Sequence, residues 1–176
     1  SRGAGGAWSG VVETGAVVFR RKESRYRKTK VNAEAILRTW KRDYDITTSE
    51  YYKKRLASLG LAAAPAVADA LEDSDYFPFV SDLISLLGDL PCRESGDALV
   101  EFMKTAPGRK FETNMPEGFS AGGMLMGEAA LSMTDMTGED LKIARKILPS
   151  AETAELWDWW WKQNRASFSR AAPAGE

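Results

Sequence analysis

Residues 56–90, LASLGLAAAPAVADALEDSDYFPFVSDLISLLGDL, decide the fold class. Gly60 follows an apolar run and reads as a helix C-cap, where a left-handed residue ends the turn. Pro65 falls in the first turn of APAVADALED (64–73), where its missing N–H leaves no bond unmade. FPFVSDLISLLGDL (77–90) forms the next helix and closes at Gly88 and Pro91. Ala64, Ala66, Ala68 and Ala70 keep the first of these helices thin, so a neighbour can approach closely. A two-helix unit of this length cannot bury its apolar face alone, so neighbouring units must stack on it.

The same punctuation extends in both directions. Upstream, Ala35, Ile36, Leu37 and Trp40 set a helical period from about Val31. DYDITTSE (43–50) breaks it, with Thr47 and Glu50 spaced as a capping box for YYKKRLASLG (51–60). Downstream, helices are expected over 96–105, stopped by Pro107-Gly108, and over 120–136. Two more follow, 141–148 stopped by Pro149 and 151–168 capped by Ser150. VVETGAVVFR (11–20) has strand-forming residues but is interrupted by Gly15 and has no partner strand. The expectation is an all-α chain. Residues 1–30 form an extended basic arm, 31–168 a helical-repeat domain and 169–176 a tail.

The order of features in 56–90 resembles a HEAT-type helical repeat. Leu59-Gly60 ends one helix, Pro65 starts the next, Asp73 and Asp75 mark the turn, and Val80 precedes a closing Leu87-Gly88. WDWWWKQN (157–164), after MTG (136–138), is similar to the tryptophan-rich final helix of some HEAT-like proteins. Ser81 stands where the pattern usually has arginine, and 91–135 fits the period poorly. The resemblance implies a short, irregular HEAT/armadillo-like stack and protein–protein interaction as its usual role.

The composition excludes much chemistry. With no histidine among 176 residues, Ser-His-Asp and Cys-His nucleophiles are impossible, as are histidine bases and metal ligands. One cysteine excludes an intrachain disulfide and any multi-cysteine zinc or iron–sulfur site. GFSAG (118–122) matches the hydrolase nucleophile-elbow string, but neither a preceding core strand nor a base accompanies it, so Ser120 reads as a helix cap. A calcium loop starting at Asp73 would need Gly at Pro78 and Glu at Ile84, so Glu72, Asp73 and Asp75 read as a polar turn. The glycine-rich start has no Lys-Ser/Thr following a phosphate loop. Arg93 could depress the Cys92 thiol, but a lone thiol without a base reads as buried and inert. No catalytic residue, metal or cofactor is therefore expected, and the chain is read as not an enzyme. No apolar run reaches the length of a membrane-spanning helix.

What remains is recognition. The near-neutral total of 24 basic and 25 acidic residues hides a split: 11 against 3 in residues 1–42, and 13 against 22 in 43–176. A +8 segment attached to a −9 body suggests contact with an anionic surface. Arg20, Arg21, Lys22, Arg25, Arg27, Lys28 and Lys30 would make those contacts, with Phe19 and Tyr26 packing among them. Phe119, Gly122, Met126, Ala129, Met133 and Met136 fall on one helical stripe and read as core, with Gly123 and Gly127 admitting a neighbour. Trp157, Trp160, Trp161, Asn164 and Phe168 share one face of the last helix, and Trp159 points away from it. Trp159 and Trp40 are therefore expected to be partner anchors.

The function expected is a non-catalytic scaffold or accessory subunit of a larger complex, its basic arm docking on another protein. The alternative is a nucleic-acid-binding subunit of a ribonucleoprotein, since aromatic and basic residues interleave in FRRKESRYRKTK (19–30). If Ser1 is a mature terminus left by targeting-peptide removal, the expected compartment is an organelle interior; a bacterial cytoplasm is the other option.

Overall fold

A computed structural model describes residues 26–43, 45, 47–109, 111, 121–139, 141 and 151–171. Among them the chain is all-helical, as the sequence pattern implies. Helix α1 covers residues 26–42, and α2 is Ser49–Ala57. Next come α3, Ala64–Glu72, and α4, Val80–Gly88. Then follow α5, Arg93–Thr105, α6, Ala121–Thr137, and α7, Ala151–Asn164. The expected strand at 11–20 and helix at 141–148 lie outside the described residues, apart from Leu141, which packs against the core.

The turns explain the helix lengths. Gly60 sits at φ +66°, with open space around its α-carbon, so backbone conformation and not crowding selects glycine there. Pro65 occupies the first turn of α3. Asp73 turns to extended backbone and ends that helix. Its carboxylate accepts from the Asp75 amide at 2.9 Å, opening a short 3-10 segment, Ser74–Phe79, that leads into α4. The Asp-x-Asp turn is thus a local cap, as its sequence suggested.

The helices stack in two rows. Helix α3 packs against α4 and α5, α4 against α6, and α5 against α6 and α7. Helix α2 also reaches α4. Helix α1 joins through Trp40, whose ring stacks 4.6 Å from Phe79 and 5.8 Å from Tyr52. One row is therefore α3, α5, α7 and the other α2, α4, α6.

Leu83, Ile84, Leu86 and Leu87 of α4 meet Leu99, Phe102 and Met103 of α5 in one apolar core. The stripe on α6 is core as expected: Gly122, Met126, Ala129, Met133 and Met136 are all buried. Phe119 lies outside the described residues. Close approach occurs at Gly122, where a β-carbon would lie 2.8 Å from the Ala106 carbonyl carbon, and at Gly88, 3.0 Å from Ser132 Cβ. Gly123 and Gly127, also expected to admit a neighbour, are half-buried.

Three sequence expectations need correction. Residues 26–30 are helical, so the boundary placed at residue 30 falls inside α1. Its basic side chains hid a helix whose buried face is set by Ala33, Leu37 and Trp40. Thr47 is not the cap of α2. It donates from N and Oγ1 to Asp45 Oδ1 at 2.8 and 2.9 Å, and Glu50 pairs instead with Lys53 and Lys54. Residues 169–171 are bonded to the body and are not a loose tail.

Candidate interaction surface

Arg20, Arg21, Lys22 and Arg25 lie outside the described residues, as does Ser120. Arg27 and Lys28 are exposed on the first turns of α1. Lys30 is turned inward along the stack, where its Nζ lies 3.4 Å from Asp69 Oδ2 on α3. Both partners keep much of their solvent, so this pair contributes about 0–1 kcal/mol and leaves the lysine partly engaged. Tyr26 is half-buried, and burial raises its hydroxyl pKa above the ordinary tyrosine value.

Trp40 is not a surface anchor. It is fully buried between Tyr52 and Phe79, because the i, i+4, i+7 face of Ala33, Leu37 and Trp40 is the one that α1 turns to the core. Trp159 behaves differently: it is 59% exposed, while Trp157 and Trp161 on the same helix are buried. The face of α7 expected from its 3.6-residue period is thus the face observed, with Trp160 and Phe168 half-buried at its margin.

Beside Trp159 lies a charged cluster that joins α7 to α5. Asp158 takes Lys162 at 2.5 Å and Lys104 at 3.4 Å, and Lys104 also reaches Glu101 at 3.1 Å. The Lys162 hydrogen bond, helped by Lys104, holds the Asp158 carboxyl below its ordinary range. These charges are matched within the chain, which leaves the Trp159 indole as the large apolar group on that side of α7.

A second polar cluster sits one turn further along. The Trp161 indole Nε1–H donates to Asp97 Oδ1 at 2.8 Å, and Arg165 donates to both oxygens of Asp97 at 2.7 and 2.6 Å. Burial pushes the Asp97 carboxyl up, but the Arg165 and Trp161 hydrogen bonds outweigh it and leave the group below its ordinary range. Gly96 makes room for the Trp161 ring: a β-carbon there would lie 2.6 Å from Cε2 and closer still to Cζ2 and Cη2.

Past α7 the chain folds back over α5. The Arg93 guanidinium donates to the carbonyls of Phe168 and Ala166, each at 2.8 Å. The Arg93 amide donates to Ser169 O at 2.9 Å, and the Ala171 amide donates to Glu94 Oε2 at 2.7 Å. Sequence reasoning missed this arrangement because it joins residues more than 70 positions apart. Arg93, next to Cys92 in sequence, points its guanidinium at those carbonyls. Cys92 itself is fully buried beside Ser95 Oγ, at 3.3 Å, and burial pushes its thiol up, away from the reactive range.

Among the described residues, no group of three or more Cys, Asp or Glu side chains is placed to hold a metal ion. No helix among them is long and apolar enough to cross a membrane. An open cleft of about 220 Å³ between α1 and α3 is lined by Glu34, Asp69 and Asp73 together with Arg38 and Tyr76. No family model, no curated protein and no solved structure matches the chain.

Proposed function

We propose that this chain is a non-catalytic interaction scaffold or accessory structural subunit of a multiprotein complex. Its body is a HEAT-like helical stack, and residues 20–30 dock on a partner protein. The observation that carries this reading is Trp159, a large apolar ring 59% exposed on α7 while Trp40, Trp157 and Trp161 are buried. Exposed tryptophans are over-represented among the residues that dominate interface energies. The charge split supports the same role. A segment with seven Lys and Arg between residues 20 and 30 precedes a body of formal charge −9, so the two regions suit different partner surfaces.

Polyanion binding is the second reading, carried by the interleaved aromatic and basic residues of 19–30. Two observations disfavour it: residues 43–176 carry a formal charge of −9, which repels a polyanion, and Tyr26 is half-buried. The two readings separate in a titration with RNA and DNA at rising salt. Binding that falls steeply with salt and is lost when Arg20, Arg21, Lys22 and Arg25 become alanine would replace the protein-partner reading with the polyanion one.

A further inference from the structure

The strap formed by residues 165–171 carries information that neither the basic run nor Trp159 explains. Its four hydrogen bonds to Arg93 and Glu94 all use the strap's main chain: the carbonyls of Ala166, Phe168 and Ser169, and the amide of Ala171. Strap side chains reach the body through Phe168, whose ring centroid lies 4.9 Å from that of Trp161, and Arg165, which pairs with Asp97. Phe168 itself has extended backbone, φ −86° and ψ 143°. Ala166, Ser167, Ser169 and Arg170 are exposed. The strap runs from a 3-10 turn, Arg165–Ser167, into extended backbone at Phe168. Main-chain hydrogen bonds combined with one seated aromatic side chain are a means by which peptide grooves hold their ligands.

The body supplies most of the groove's shape, with Arg165 and Phe168 of the strap added on Asp97 and Trp161. Trp161 is seated over Gly96 and bonded to Asp97, and Arg93 and Glu94 belong to the first turn of a 13-residue helix. The strap, by contrast, packs only Phe168 and Ala171 against the core among its described residues, both partly buried. Segments held that way open at a free energy well below that of global unfolding.

We infer that the N-terminal end of α5, with Arg93, Glu94 and Trp161, is a binding site for a short peptide segment that turns and then extends at an aromatic side chain, as the strap does at Phe168. The strap is the ligand this chain supplies to itself. A partner segment of that kind binds by displacing it. Because the strap is tethered, it competes at an effective concentration of about millimolar, so the intact chain takes a free peptide weakly. Loosening the strap strengthens that binding. The inference does not rest on residues 20–30, and reversing their charge leaves it unaffected.

The probe is a fluorescent peptide of sequence NRASFSRA, residues 164–171, titrated by anisotropy against the full-length chain and its full-length Phe168→Ala variant. The variant is expected to bind about tenfold more tightly than the parent, since its own strap has lost the aromatic contact. Adding Arg93→Ala to the variant, or replacing the peptide's phenylalanine by alanine, is expected to abolish that gain. A Phe168→Ala chain with unchanged circular dichroism and a cooperative melt that binds no better than the parent overturns the inference. Should that variant not fold, hydrogen exchange on the parent chain decides. The Ala171 amide is expected to exchange about a hundredfold or more faster than the Leu99 and Phe102 amides of α5. Equal protection of all three means the strap leaves only on global unfolding, which also overturns it.

Discussion

Gly96→Ala is the sharpest test of how α7 is seated. In an exposed helix the change would stabilise by about 1 kcal/mol, the difference in helix propensity between the two residues. Here the added methyl would lie 2.6 Å from Trp161 Cε2 and nearer to two other ring carbons, against ordinary contacts of about 3.5–4.0 Å. The ring has little freedom to retreat. Its Nε1 is bonded to Asp97, and the Phe168 ring lies tilted against it with centroids 4.9 Å apart. Overpacking of a rigid core group costs about 1–3 kcal/mol, and a clash this close belongs at the upper end. Set against the propensity gain, the net loss is about 2 kcal/mol, or roughly 4–8 °C in melting temperature for a chain of this length. Urea denaturation of the parent, Gly96→Ala, Trp161→Ala and the double variant forms a cycle that isolates the contact. In the Trp161→Ala background the glycine substitution is expected to become neutral or stabilising. A Gly96→Ala chain more stable than the parent would refute the seating of Trp161 on α5.

The two tryptophans read alike in sequence should part company under substitution. Trp40→Ala removes a ring stacked between Tyr52 and Phe79 and is expected to cost about 3–5 kcal/mol. Trp159→Ala should stay within about 0.5 kcal/mol of the parent while weakening partner binding. A large stability loss at Trp159, measured by urea denaturation, would count against its role as an anchor. The Asp97 carboxyl is held below its ordinary range in the fold. Its contribution to stability is therefore complete above the unfolded value of about 3.9 and is lost as pH falls through the lower folded value. Asp97→Asn should flatten the acid-side decline in urea midpoint between about pH 5 and pH 2, and an unchanged decline would show the Arg165 and Trp161 bonds to be energetically idle.

The helical stack was legible because its signals are local. Gly60, Pro65 and the Asp73–Asp75 turn each act within a few residues, and the α6 stripe shows its period directly in Gly122, Met126, Ala129, Met133 and Met136. The same locality explains the failure at Trp40. A tryptophan among charged residues looks like a surface group until Tyr52 and Phe79, 12 and 39 positions later, close over it. The strap was illegible for the reason that makes it interesting. Its carbonyls are common to every residue, so nothing in RASFSRA announces that Arg93 will bind them. Residues 26–30 read as the end of an extended basic arm, whereas the hydrogen-bonded backbone there is already the first turns of α1.

The central claim, a scaffold docked to a protein through its basic segment, is tested most directly by native purification with mass spectrometry. The parent chain is compared, before and after nuclease treatment, with a variant whose Arg20, Arg21, Lys22 and Arg25 are changed to glutamate. Expected is a stoichiometric protein partner that survives nuclease on the parent and is lost from the charge-reversed variant. A partner released by nuclease, or one retained in full by the variant, would contradict it.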